Sequence, residues 1–159
     1  MRYDEVNSYI NESKFSLRLG AIYEINHKTK IFVGYAKYFT PPSNSSLSSS
    51  LIAQYQKTTN ASAIQENSAI KSERVDYYDL GIKHRLTENI NIGLDSYYKN
   101  INNLLDKGQF GNAMIYSHFN YKKGRAYGFE FSSDYKKNNF SAYFNAAYQK
   151  ITASNIASG

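Results

Sequence analysis

Cysteine is absent from the 159 residues, which excludes disulfides and thiolate-held metals. No run approaches the roughly 18–20 consecutive apolar residues that a membrane-spanning helix needs. Strands remain open as a way across a bilayer, because a barrel strand needs only about 9–11 residues and turns every second side chain away from lipid. The opening "MRYDEVNSYINESKF" carries acidic residues and no apolar segment, so it is not a signal peptide. No Gly-x-Ser-x-Gly elbow and no phosphate-binding loop occurs, and no acid–base pair can be singled out. The chain is therefore read as a non-enzyme without a cofactor. His27, His84 and His118 are widely separated and fall in no His-x-x-x-His or Glu-x-x-His spacing, so no metal site is expected. Tryptophan is missing too, and proline occurs only as the pair Pro41-Pro42.

What is present is tyrosine and phenylalanine, 16 and 9 of them, recurring along the chain rather than in one cluster. The net charge of +6 raises the question of a nucleic-acid partner. However, the basic residues are spread from Arg2 to Lys150, with small groups only at Lys122-Lys123-Arg125 and Lys136-Lys137. Nucleic-acid binders concentrate theirs on one face. A solvated rim at strand ends is the reading here, and no nucleic-acid partner is expected.

A period of two runs through most of the chain and marks strands. In "FSLRLGAIYEI", residues 15–25, Phe15, Leu17, Leu19, Ala21 and Tyr23 alternate with Ser16, Arg18, Gly20 and Glu24. The turn "NHKT" leads into residues 30–39, whose two faces are less distinct. A long polar interval, 40–72, then lacks any period, and loops of that length are usually functional or mobile. Residues 73–100 form a hairpin around Thr87-Glu88-Asn89. Leu80, Ile82, Ile92 and Leu94 lie on one side of it, Asp79, Lys83, Asp95 and Lys99 on the other. Gly108 and Gly111 interrupt the alternation over 102–116. Strands follow at about 117–136 and 140–150, joined by "KKNN". The expectation is an all-β antiparallel meander of about six strands, too few to close alone.

Which face is the inside is the remaining question. Connections run short, long, short, medium-long, short, so the short turns share one end of the sheet, as in transmembrane barrels. The polar face carries Arg18, Glu24, Asp79, Lys83, Asp95, Lys99, Glu130 and Asp134, as a water-filled lumen would. Aromatics near strand ends, including Tyr23, Tyr78, Tyr98, Tyr135, Phe140 and Tyr148, fit interfacial girdles. A soluble two-layer protein with its second layer on the apolar face is the competing reading.

Three strings carry a family resemblance. "FVGYAKYFTPPS" (32–43), "IKSERVDYYDLGIKHRLTENINIGLDSYYKNINNLLD" (70–106) and "FNYKKGRAYGFEFSSDY" (119–135) resemble, in order and spacing, barrel strands of TonB-dependent outer-membrane receptors. "MRYD" is similar to the tail of a preceding strand in that family. The resemblance implies a barrel segment over 1–159 in the bacterial outer membrane, with 40–72 as a long extracellular loop. It also implies a full-length receptor with a plug domain, a TonB partner and a scarce nutrient as ligand. Ferric siderophores are the commonest such ligand, with cobalamin, haem, other metal complexes and sugars open. A non-transporting adhesive barrel and a soluble ligand-binding barrel are the alternatives. Candidate ligand-contacting residues in the lumen are Tyr77, Asp79, Asp95, Tyr97, Lys99 and Glu130, each of which could equally be ordinary lumen polarity, as in a cross-strand pair of Lys83 with Asp95.

Overall fold

The computed structural model describes residues 2–7, 11–42, 70–109 and 116–158, which form eight strands. No helix among the described residues is long and apolar enough to cross a membrane, a statement that leaves strands untouched. β1 (Arg2–Asn7) pairs with β2 (Asn11–Ser16). The remaining six form one antiparallel sheet in chain order: β3 (Arg18–Asn26), β4 (Thr29–Thr40), β5 (Glu73–Arg85), β6 (Ile90–Gln109), β7 (Tyr116–Lys137) and β8 (Phe140–Ser158). Leu17 parts β2 from β3 only locally. Its carbonyl accepts the Lys37 N–H at 2.8 Å, which carries the β3–β4 ladder on toward β2.

Short polar side chains close the three tight turns. Asn26 Oδ1 accepts the Lys28 N–H at 2.9 Å. Thr87 Oγ1 accepts from the backbone of Asn89 and Ile90 at 3.2 and 3.1 Å. Asn138 takes a φ of 52°, a left-handed conformation that asparagine tolerates and a two-residue hairpin turn requires. These turns lie at one end of the sheet. The connections between β4 and β5 and between β6 and β7 lie at the other, and 43–69 and 110–115 fall outside the described residues.

Two strands run further than the alternation predicts. β6 does not stop at 102 but continues to Gln109, and β8 passes 150 to reach Ser158. Asn103 adopts φ 54° and the ladder passes from Asn102↔Lys123 to Leu104↔Tyr121; Asn155, at φ 59°, marks a matching irregularity beside β7. Such irregularities re-aim side chains without ending the pairing, which hides a strand from a test of strict period. After Asn103, Leu104 packs with Val75, Ile101 and Ala126.

Register sorts the side chains into rows. On one face Ile31, Ile82, Leu94 and Phe131 are successive partners, and so are Val33, Leu80, Ser96, Phe129 and Tyr148. The next row is Tyr35, Tyr78, Tyr98 and Tyr127 across four neighbouring strands, with ring centroids 5.1 Å apart for the first pair and 6.5 Å for the second. Among the described residues nothing covers this face: Leu80 is 53% exposed and Leu94 48%. The opposite face is the hollow one. Depressions of about 480, 280 and 550 Å³ open on it; Lys83 and Asp134 line the first, Asp79, Asp95 and Glu130 the second, and Lys99 with Val75, Ile101 and Ala126 the third. A soluble barrel wraps its apolar face inward around a core. Here the apolar face lies opposite the hollowed one, as it does on barrels whose outside faces lipid. The arrangement is that of a barrel whose outside meets lipid rather than that of the soluble reading.

From Tyr98 to Ile90 the outward face spans eight residue steps, about 26 Å of strand, or roughly 20 Å of depth at a tilt near 40°. This fits within the apolar band of outer-membrane barrels, about 25 Å tall. The sheet does not close; β3 and β8 are its edges. Unpaired backbone groups in hydrocarbon cost several kcal/mol each, so this wall requires strands on both sides.

At the end opposite the tight turns, the chain re-enters the sheet through a clamp. Asn120 is fully buried. Its Oδ1 accepts the Lys71 N–H at 2.7 Å, while its Nδ2 donates to the Lys71 and Asn103 carbonyls at 3.0 and 2.8 Å. Leu105 N–H donates to Glu73 Oε2 at 3.0 Å beside it. One amide side chain thus supplies Lys71 with the two hydrogen bonds that a neighbouring strand would have given.

Candidate functional site

On the concave face the register again gives rows, and the six candidate residues fall in three adjacent ones. Asp95 and Glu130 are direct partners between Gly81 and Ala147. Asp79 and Tyr97 are partners in the next row, between Gly34 and Gly128. Tyr77 and Lys99 are partners in the third, between Ala36 and Ala126. Five of the six line the hollow of about 280 Å³: Tyr77, Asp79, Asp95, Tyr97 and Glu130. Lys99 lines the adjoining hollow of about 550 Å³ instead, with Tyr77 shared between the two.

Glycines let the larger side chains lie flat against the wall. A Cβ at Gly34 would collide with the Asp79 carboxylate, and one at Gly81 with Phe32 and Asp95. At Gly128 it would sit 2.8 Å from the Tyr97 ring and 2.6 Å from the Tyr148 carbonyl oxygen. The obstacle at Gly128 includes backbone, which cannot swing aside. Gly128→Val should therefore lower the stability of the full-length barrel by about 1–3 kcal/mol, read as a drop in its thermal midpoint in detergent. An unchanged midpoint would show that the wall yields at this point.

The rings of Tyr77 and Tyr97 stack with centroids 6.2 Å apart and planes 22° from parallel. The Lys99 ammonium lies over both, 5.7 Å from the first and 5.3 Å from the second. Tyr38 meets Tyr77 edge-on at 5.9 Å, and the Arg18 guanidinium lies 5.2 Å from the Tyr38 centroid. Below them, toward the tight turns, Asp79, Asp95 and Glu130 make no ion pair among the described residues. Lys83 does not pair with Asp95 as the sequence suggests. It stands opposite Gly93 and over the Phe32 ring at 5.7 Å, because Gly81 opposite Asp95 leaves room for Phe32 between them.

Like charges placed directly opposite, as Asp95 and Glu130 are, oppose strand pairing. The arrangement therefore gives up stability for a surface with free acceptors. Above it, a tyrosine platform carries two cations over an apolar floor of Val75, Ile101, Ala126 and Ile151. This surface suits ring stacking and hydrogen bonding. Among the described residues no three His, Cys, Asp or Glu side chains converge to hold a metal ion. Phe32, Tyr38 and Gln149 belong to the same surface without being among the six candidates, and Arg18, placed on the polar face from sequence, joins them through Tyr38. Phe32 and Tyr38 share a parity with Gly34 and Ala36, and that pattern marks the inward face of β4 once β5 fixes the register.

A family model described as "TonB dependent receptor-like, beta-barrel" matches residues 1–158. A search of curated sequences found no match. Among solved structures, the FrpB iron transporter from Neisseria meningitidis (F3-3 variant) is similar, with a TM-score of 0.61 and 14% identity over 90% of this chain. The receptor in the FpvAI–pyocin S2 complex structure is also similar, with a TM-score of 0.57 and 18% identity over 94% of this chain. The chain spans about a fifth of either, 20% and 19% of their lengths.

Proposed function

Because the chain belongs to the TonB-dependent receptor β-barrel family, we propose that it forms part of the wall of an outer-membrane receptor for TonB-dependent uptake of a metal complex, most simply a ferric siderophore. The neighbouring FrpB structure is that of an iron transporter, which supports iron as the cargo. In this reading the tight turns face the periplasm, and the connection 40–72 is an extracellular loop. The polar concave face lines the lumen opposite a plug, through which TonB acts. Lipid covers the apolar face, and further strands pair with β3 and β8.

The observation that carries the ligand assignment is the Tyr77–Tyr97 stack beneath Lys99, beside the free carboxylates of Asp79, Asp95 and Glu130. A surface of rings, an ammonium and acceptors recognises the organic shell of a chelate and leaves the metal to its own ligands. In the full-length receptor, the double variant Tyr77→Ala/Tyr97→Ala should bind its ferric chelate about tenfold or more weakly, since each lost ring contact is worth roughly 0.5–1.5 kcal/mol. Titration of purified receptor with ferric catecholate, hydroxamate and carboxylate chelates, alongside growth under iron limitation, provides the check. Undiminished binding in the double variant would remove these residues from the site. Wild-type growth indifferent to every ferric chelate would remove iron as the cargo.

A further inference from the structure

Just beyond the tyrosine row, the outward face carries a rim of cations, and its two halves differ. On β4 and β5 they are neutralised. Lys37 Nζ lies 3.8 Å from Asp76 Oδ1, which also accepts the Tyr35 hydroxyl at 2.8 Å, and Arg74 lies 3.6 Å from Glu12 Oε2. On β7 and β8 they are not. Lys123, Arg125 and Lys150 have no carboxylate partner among the described residues.

Register brings those three together. Lys150 is the partner of Tyr127 in the girdle row, Arg125 stands opposite Thr152 one row further out, and Lys123 opposite Ser154 in the row after that. The β6 partners of Arg125 and Lys123 are Asn100 and Asn102, so no acid intervenes from that side either. A hollow of about 300 Å³ lies among Lys123, Arg125, Thr152 and Ser154. Three cations with hydroxyls and amides between them, and no acid, form a cradle for an anion with several acceptor oxygens.

Depth identifies the anion. Successive rows are about 5 Å apart in depth at a tilt near 40°, so the cluster begins at the interface and extends roughly 10 Å outward on the lipid-facing side. Lipid headgroups occupy that shell, and a basic residue there gains from anionic lipid. We propose that Lys123, Arg125 and Lys150 bind the phosphate groups of an anionic lipid in the leaflet at the long-connection end. In the proposed orientation this is the outer leaflet, and the lipid is a phosphorylated glycolipid. The site rests on the membrane placement of the barrel and not on what the receptor transports.

The test uses the full-length receptor in phosphatidylcholine vesicles doped with bisphosphorylated lipid A, with lipid retained after extraction counted by native mass spectrometry. The triple variant Lys123→Gln/Arg125→Gln/Lys150→Gln should retain lipid A about tenfold less well at low salt. Lys37→Gln, from the neutralised half, should change retention by less than about twofold. Dephosphorylated lipid A should bind the wild type no better than lipid A binds the triple variant. Equal retention by wild type and triple variant, or retention indifferent to phosphorylation, would overturn the proposal. Displacement of the lipid by equimolar inorganic phosphate would overturn the choice of lipid as the source. Failure of the wild type to enter vesicles would instead remove the membrane placement itself.

Discussion

Leu94→Arg in the full-length barrel should sharply reduce the folded, heat-modifiable form recovered from outer membranes, whereas Asp95→Ala should leave it near wild type. The two residues are adjacent, yet they belong to opposite faces. Leu94 stands between Ile82 and Phe131 in the middle of the convex apolar band and is 48% exposed. Asp95 stands between Gly81 and Glu130 on the concave face. A cation on the lipid face at mid-depth costs about 2–4 kcal/mol, a factor of roughly 30 to 700 in the folding equilibrium. Removing Asp95 relieves its repulsion with Glu130 and exposes no charge to hydrocarbon.

A depth control separates this from a general intolerance of β6 to arginine. Asn100 lies on the same face as Leu94 but beyond the tyrosine row, between Asp76 and Arg125. The cost of a lipid-facing cation falls to about 0–1 kcal/mol near the interface, so Asn100→Arg should fold almost as well as the wild type. Equal losses from Leu94→Arg and Asp95→Ala would contradict the assignment of faces. Equal losses from Leu94→Arg and Asn100→Arg would contradict the assignment of depth.

The faces could be read from sequence because a period of two is a local property. Leu80, Ile82, Ile92 and Leu94 separate from Asp79, Lys83, Asp95 and Lys99 without knowledge of any partner strand. Depth could not, because it depends on register. The tyrosine girdle illustrates this: Tyr78 and Tyr98 are recognisable near strand ends, but Tyr35 and Tyr127 join them only once pairing places all four in one row. Tyr148, by contrast, lies one row inward, against Phe129. The candidate site divides in the same way. Side-chain polarity alone picks out the six lumen residues, yet the convergence of five of them on one hollow follows from the pairs Asp95↔Glu130 and Asp79↔Tyr97. Phe32 and Tyr38 escaped because β4 alternates weakly, its inward face being partly glycine and alanine so that rings from neighbouring positions can lie across it.

Asn120 is the residue whose importance a sequence conceals most completely, and its replacement should have the second large effect. It reads as one more polar residue in "HFNYKK", but it is fully buried and makes three hydrogen bonds to backbone that no strand serves. Asn120→Leu keeps a similar volume while leaving the Lys71 N–H and the Lys71 and Asn103 carbonyls without that partner. Each buried backbone group left unsatisfied costs about 1–3 kcal/mol; with water reaching part of the site, a total loss of about 3 kcal/mol is expected. The loss should be local, because the ladder between β6 and β7 does not depend on this side chain for Leu94↔Phe131 or its neighbours. Hydrogen exchange on the full-length barrel should then show faster exchange at Lys71, with protection at Leu94 and Phe131 retained. Asn120→Asp supplies a finer control: a carboxylate still accepts from Lys71 N–H but cannot donate to the Lys71 and Asn103 carbonyls, so it should recover only part of the protection. Wild-type exchange at Lys71 in the leucine variant would mean that the chain enters β5 by contacts other than this clamp.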